Sequence, residues 1–146
     1  MKYKFFVAGK TRNIDKLQEV LRMIRANKKT AWCFIEKAYF HGADAKLDFD
    51  AGGDSVMEQF EKLTLQDELV KQIFDDDLEA LRNSENFVLV LPAGTSGHME
   101  AGIAFGMGKK CYAIGVPEKT ESLYHIFDRI FTDEREFENF LSGSGE

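Results

Sequence analysis

The chain has 146 residues, 44% of them hydrophobic, enough for one domain with an apolar core and too few for two such cores. Its 25 acidic residues outnumber 19 Lys and Arg, a formal net charge of −6. That balance argues against a surface built to neutralise nucleic-acid phosphates or anionic lipid. Cys33 and Cys111 stand far apart and make neither a metal-ligand spacing nor a disulfide framework, so a reducing compartment fits. The apolar run Phe5 to Ala8 is too short for a signal peptide, and no stretch approaches a membrane span. The expectation is a soluble cytoplasmic protein whose partners include neither nucleic acid nor membrane.

Phe5-Phe6-Val7-Ala8 reads as a buried first strand stopped by Gly9. From Ile14, apolar Leu17, Val20, Leu21 and Ile24 recur at the helical period, with Lys16, Glu19, Arg22 and Arg25 opposite. Thr30 to Phe40 is rich in aromatic and β-branched residues and predicts a second strand within it. His41 to Ser55 gathers glycines and aspartates and reads as a long loop of the kind that serves as a lid. A helical stripe follows through Leu65, Leu69, Val70, Ile73, Phe74, Leu78 and Leu81. The run Phe87 to Leu91 reads as a central parallel strand buried on both faces. After Pro92-Ala93-Gly94-Thr95-Ser96-Gly97 comes a helix from about His98 to Met107, then a strand from Cys111 to Val116. Leu123, Ile126, Phe127 and Ile130 fall at helical spacing, and a short edge strand near Phe131 precedes a last helix through Phe137, Phe140 and Leu141. Residues 1–141 read as one domain and 142–146 as a frayed tail. Strands alternating with helices predict an α/β sandwich around a mostly parallel sheet of about four or five strands.

Ligands of such a sheet bind beyond the carboxyl ends of the strands, where the winding changes direction. Two loops qualify, Gly9 to Arg12 and Pro92 to Gly97. In the second, Gly94, Thr95, Ser96 and Gly97 bring backbone N–H groups and two hydroxyls to a helix N-terminus, which suits an anionic or polyhydroxylated ligand; helix capping alone accounts for the same residues. Gly9, Gly94, Thr95, Ser96, Gly97 and His98 are therefore the candidate substrate-binding residues, although an exposed polar role explains His98 equally well. Glu100 is placed in the first turn of that helix, where the dipole favours the ionised carboxylate a nucleophile must be. Acidic residues are common in first turns for that same reason; what singles Glu100 out is its place at the mouth of the central strand among small, apolar neighbours. Gly102 and Gly106 read as letting the helix pack closely on the sheet.

Among Asp75, Asp76 and Asp77, only Asp77 falls on the apolar stripe. Burial there raises a carboxyl pKa and makes a proton donor, though a partly buried surface aspartate gives the same pattern. About 9 Å of helix separates Asp77 from Asn83, roughly half a strand's length, so Asp77 reaches the strand ends only if the helix tilts or breaks. Asp48-x-Asp50-x-Gly52-Gly53 looks like the start of a calcium loop, but its twelfth position is Gln59 where a bidentate Glu is needed. His41, His98 and His125 lack metal spacing, so neither metal nor cofactor is expected.

From Asp77 to Lys110 the order is an Asp, a helix turn, an apolar strand, a small-residue loop, Glu100-Ala101-Gly102-Ile103-Ala104, and Gly108-Lys109 before the next strand. This resembles the nucleoside 2-deoxyribosyltransferase-like family over about a quarter of the chain. The resemblance implies a flavodoxin-like three-layer α/β sandwich and cleavage or transfer of the N-glycosidic bond of a nucleoside or nucleotide. Glu100 would attack C1 of the sugar and Asp77 would handle protons on the base. It also implies a homo-oligomer in which a neighbour completes the site. Two positions depart from the family. Phe5 stands where a tyrosine commonly orients the nucleophile, and Gly94 where some members carry an aspartate that binds the sugar hydroxyl. Without that carboxylate a 5′-phosphate meets less repulsion, so a nucleoside 5′-monophosphate is expected to fit as well as a nucleoside. Phe5 favours an alternative, a non-catalytic nucleotide-sensing module of the same fold. An NAD-cleaving glycohydrolase, which also needs a glutamate near the ribose, is a third reading.

Overall fold

In β1 (Tyr3–Ala8), Phe5 and Val7 enter one hydrophobic cluster while Phe6 and Ala8 enter another, so the strand is covered on both faces. β3 (Ser84–Val90) divides the same way, with Val88 and Val90 against Phe87 and Leu89, and so does β4 (Lys110–Ile114), with Tyr112 and Ile114 against Cys111 and Ala113. The computed structural model describes residues 1–41, 47 and 52–143. It joins these strands to the shorter β2 (Ala31–Cys33) and β5 (Arg129–Phe131) in a five-stranded parallel sheet of order β2-β1-β3-β4-β5.

Parallel neighbours need crossover connections, and the helices among these cover both faces together with the helix that follows the last strand. α1 (Ile14–Ala26) and α5 (Glu134–Leu141) supply Leu17, Val20, Leu21, Ile24, Phe137 and Leu141 to one cluster. α3 (Glu68–Arg82) and α4 (Thr95–Gly106) supply Ala80, Leu81, Ala101 and Ala104 to the other. This is the flavodoxin-like doubly wound arrangement, with helices on both sides of the sheet. The winding reverses between β1 and β3, which pair from Tyr3↔Ser84 to Ala8↔Leu89, so the loops after them emerge side by side. α2 (Gly53–Glu61) packs above, on the 3₁₀ turn Thr11–Asn13.

The structure differs from the sequence expectation in five places. The stripe expected from Leu65 becomes helical only at Glu68, because the Thr64 N–H donates to the Asp67 carboxylate and closes a turn; Leu65 is 81% exposed. The helix expected from about His98 begins at Thr95, since the Gly94 carbonyl already accepts the His98 N–H at 3.3 Å. Gly102 and Gly106 face open space, and it is Gly97 that allows close approach: a Cβ there would lie 2.8 Å from Leu89 Cδ1. Leu123 and Ile126 lie in a 3₁₀ turn, Ser122–Ile126, whose Leu123 is exposed. Of the loop read over 41–55, residues 42–46 and 48–51 fall outside the described residues, as does most of the calcium-like run; its end, from Gly53, is helical.

Phe87 is fully buried between Phe6 and the α3–α4 layer, with its ring centroid 5.8 Å from that of Phe6. Phe87→Ala is expected to lower the unfolding free energy by about 3–5 kcal/mol in urea denaturation, whereas Leu65→Ser should change it by no more than about 0.5 kcal/mol.

Candidate active site

At the switch point, β1 ends in Gly9, where a Cβ would stand 2.7 Å from Leu17 Cδ2 and 3.4 Å from the Val90 carbonyl. A side chain there would part the loop from α1, so the chain turns close to the sheet into Lys10 and Thr11. β3 leaves through Leu91-Pro92-Ala93-Gly94 into α4. Between these loops lies a cavity of about 260 Å³. Gly9, Lys10, Thr11, Gly94, Thr95, Ser96 and Gly97 form its polar side. Phe34, Phe40, Leu47, Val56, Met57, Phe60 and Ile73 form its apolar wall, and Asp77 and Glu100 complete the lining. An apolar pocket with a few convergent polar groups is the usual form of a small-molecule site.

Asp77 and Glu100 meet because their helices bring them to the same height. α4 descends from the mouth of the sheet, and Glu100, five residues into it, lies about 7.5 Å down its axis. Asp77 lies about 9 Å above Asn83 on α3, near mid-strand. The height estimate for Asp77 therefore stands, and the correction falls on Glu100, which lies beyond the first helical turn.

Both carboxyl groups are driven toward the neutral form. Burial raises Asp77 from 3.8 to about 7, the Asp76 charge adds to this, and hydrogen bonding with Glu100 and the Lys37 charge oppose it. Burial also raises Glu100 well above the usual carboxylate range, and the Asp77 carboxylate beside it raises it further. The expectation that the helix dipole keeps Glu100 ionised is thus overturned, because the dipole fades past the first turn and desolvation prevails. Two like charges side by side in a half-buried site oppose each other, and we read the pair as holding one proton between the two carboxyls near neutral pH. Asp77 Oδ1 and Thr11 Oγ1 are buried without a hydrogen-bond partner among the described residues. Such orphaned atoms at a cavity are ones an occupant can satisfy.

The structure brings Gly9, Gly94, Thr95, Ser96, Gly97, Asp77 and Glu100 to one cavity, and it places His98 elsewhere. Two residues before Glu100, His98 projects about 200° round the helix. Its Nδ1 lies 2.8 Å from the Gly94 carbonyl and its Nε2 3.1 Å from the Tyr124 hydroxyl, at a second cavity of about 530 Å³ that also meets Lys119 and Pro92. Phe5 packs edge-on against Phe137 with centroids 5.8 Å apart and does not line the site. Sequence reasoning missed the apolar wall. Val56, Met57 and Phe60 stand at i, i+1 and i+4, a helical signal hidden by the glycines and aspartates before it. Among the described residues no group of three His, Cys, Asp or Glu side chains is placed to hold a metal ion, and no helix is long and apolar enough to cross a membrane.

No protein-family model matches the chain, and no curated protein matches it in sequence. Solved structures do match it in fold. One is a 2-deoxyribosyltransferase from the psychrotolerant bacterium Bacillus psychrosaccharolyticus, with a TM-score of 0.56 and 14% identity over 92% of this chain and 90% of that one. At that identity the likeness establishes the α/β fold.

The shared proton has a consequence for stability. Between the unfolded carboxylate range and about 7, the folded protein retains a proton that the unfolded chain releases, so stability falls as pH rises through that window. Unfolding free energies measured by urea titration should be greater at pH 5 than at pH 8 by on the order of 3 kcal/mol from this pair. Asp77→Asn should reduce that slope and stabilise the protein at pH 8, with the burial of Glu100 retaining part of it.

Proposed function

We propose that the protein cleaves or transfers the N-glycosidic bond of a nucleoside or nucleoside 5′-monophosphate. The observation that carries this reading is the pair of half-buried carboxyls, Asp77 and Glu100, that line the switch-point cavity together and are both driven toward the neutral form. Glycosidic cleavage asks for one ionised carboxylate at the sugar and one acid at the leaving group, and a pair that shares a proton contains both. As positive charge develops at C1, the ionised form of Glu100 is favoured and the proton moves to Asp77. Glu100 Oε bonds to C1, the C1–N bond breaks, and the Asp77 proton goes to the base nitrogen. In the second step Asp77 takes a proton from water, or from an incoming base, as that nucleophile displaces Glu100 from C1. The apolar wall would seat the base and exclude bulk water.

A nucleotide suits the polar side of the cavity. The N-terminal turn of α4 presents backbone N–H groups and the hydroxyls of Thr95 and Ser96, and Lys10 stands opposite with no carboxylate partner among the described residues. A volume of about 260 Å³ matches one nucleoside-sized ligand better than a dinucleotide, which sets NAD behind it. Incubation with deoxynucleosides, their 5′-monophosphates and NAD, followed by chromatography of free base, is expected to show release from one of the first two classes. Glu100→Ala should abolish release, a loss of at least about 10³-fold, while retaining ligand binding in a thermal-shift assay. Asp77→Asn should cost about 10²–10⁴-fold. Binding without release by the wild-type protein would instead favour the nucleotide-sensing module.

The assembly is read as a homo-oligomer through α4. From Thr95 to Gly108 the chain carries a single charge, Glu100, which is turned into the cavity. Outward, α4 exposes Met99 (64%), Ile103 (39%) and Phe105 (54%), with Gly102 and Gly106 open between them. Two molecules of net charge −6 meet at least electrostatic cost over such an uncharged face, and the glycines permit close approach of a second copy. Sedimentation velocity is expected to show a dimer or larger species that Ile103→Glu converts to monomer. Both thiols are buried and unpaired, which accords with a cytoplasmic setting.

A further inference from the structure

Behind Asp77, away from the cavity, a second set of polar groups is gathered that the proposed reaction does not use. Tyr39 is 9% exposed, and its hydroxyl is buried with no hydrogen-bond partner among the described residues. Asp76 Oδ2 is buried and likewise makes no hydrogen bond, although Lys37 Nζ lies 3.6 Å from it. The same ammonium sits 5.7 Å from the centroid of the Tyr39 ring, so Lys37 holds the tyrosine and the carboxylate in one neighbourhood. Burial pushes the Tyr39 hydroxyl pKa up, and the Asp76 and Asp77 charges raise it further, which places both carboxylates within electrostatic reach of it.

A buried donor facing buried acceptors is costly unless they satisfy one another. The groups around this point are Lys37 and Tyr39 on the segment after β2, Asp76 and Asp77 on α3, Glu100 on α4, and the Cys33 thiol, which burial pushes up to about 12 and keeps protonated. Lys37 is drawn to Asp76, so the Tyr39 hydroxyl is the neutral donor left for these carboxylates. Its backbone serves the same site, because the Leu47 N–H, from the cavity wall, donates to the Tyr39 carbonyl at 3.2 Å.

We propose that Tyr39 is a positioning residue whose hydroxyl donates to the Asp76 carboxylate and, with Lys37, offsets the Asp76 charge that bears on Asp77, fixing the Asp77 carboxyl against Glu100. This rests on the glycosidic reading for its kinetic consequence but not for its electrostatic one. A hydrogen bond to Asp76 offsets the negative charge that raises Asp77, so its removal moves the Asp77 titration to higher pH.

Tyr39→Phe removes the oxygen and keeps the ring, which packs on Phe40 at a centroid distance of 4.7 Å. The unfolding free energy is measured against pH for both proteins. The stability of the variant is expected to go on falling to a pH about one unit higher than in the wild type, and Lys37→Met to move that upper limit in the same direction. If the wild-type protein releases base, kcat of Tyr39→Phe should fall about tenfold, with its pH profile displaced likewise and KM little changed. A stability curve for Tyr39→Phe that is superimposable on the wild type, or offset equally at every pH, overturns the proposal. Absence of base release from the wild-type protein would count against the glycosidic reading alone, because the stability curve needs no turnover.

Discussion

Two carboxylic acids side by side in one largely apolar cavity resist carrying charge together, and much of this molecule can be understood from that constraint. Asp77 and Glu100 come from different helices, and each is half-buried, so desolvation raises both. The molecule keeps a proton there that an unfolded chain would surrender, a standing cost to the folded state above about pH 7. Sites that hold groups in unfavourable protonation states are candidates for chemistry, because the strain is relieved when charge develops on a ligand.

The fold supplies this confinement through geometry rather than through a special loop. The parallel order β2-β1-β3-β4-β5 sets the loops after β1 and β3 side by side, and α3 and α4 lie on the same face of the sheet. α3 ends at the start of β3 and packs on β1 and β3, while α4 begins at the end of β3, so one side chain from each can meet between their ends. Gly97 lets the start of α4 settle onto Leu89, while Ala101 and Ala104 keep the helix close further down. The apolar wall then closes the cavity from above, with α2 contributing Val56, Met57 and Phe60. That helix is joined to the turn after β1 by an Arg12–Asp54 ion pair, but the pair is exposed and adds little to stability.

The central strand, α1, α5 and the parallel architecture were legible because they follow hydrophobic periodicity, which is local. Glu100 and Asp77 were legible as candidates, one from its place after the central strand and the other as a charge on an apolar stripe. Their mutual contact was not, because it depends on where α4 begins. Starting the helix at Thr95 rather than near His98 moves Glu100 about one turn deeper and exchanges a dipole-stabilised carboxylate for a desolvated one. His98 was assigned to the cavity by proximity in sequence, yet the helical rotation sends it to Tyr124. Gly102 and Gly106 had the spacing of a packing face, and only the placement of Ala101 and Ala104 against the sheet reveals that the glycines face outward. The aromatic wall belongs to segments whose pairing with the site is long-range, and no local pattern encodes that.

The central claim is that Asp77 and Glu100 share one proton near neutral pH. Carboxyl-carbon NMR titration of the wild-type protein, with resonances assigned through Asp77→Asn and Glu100→Gln, tests it most directly. The account predicts two separated steps observed at both residues, the upper one near or above pH 7, and a single step in each variant. Two independent titrations, each in the ordinary range near pH 4, would contradict it.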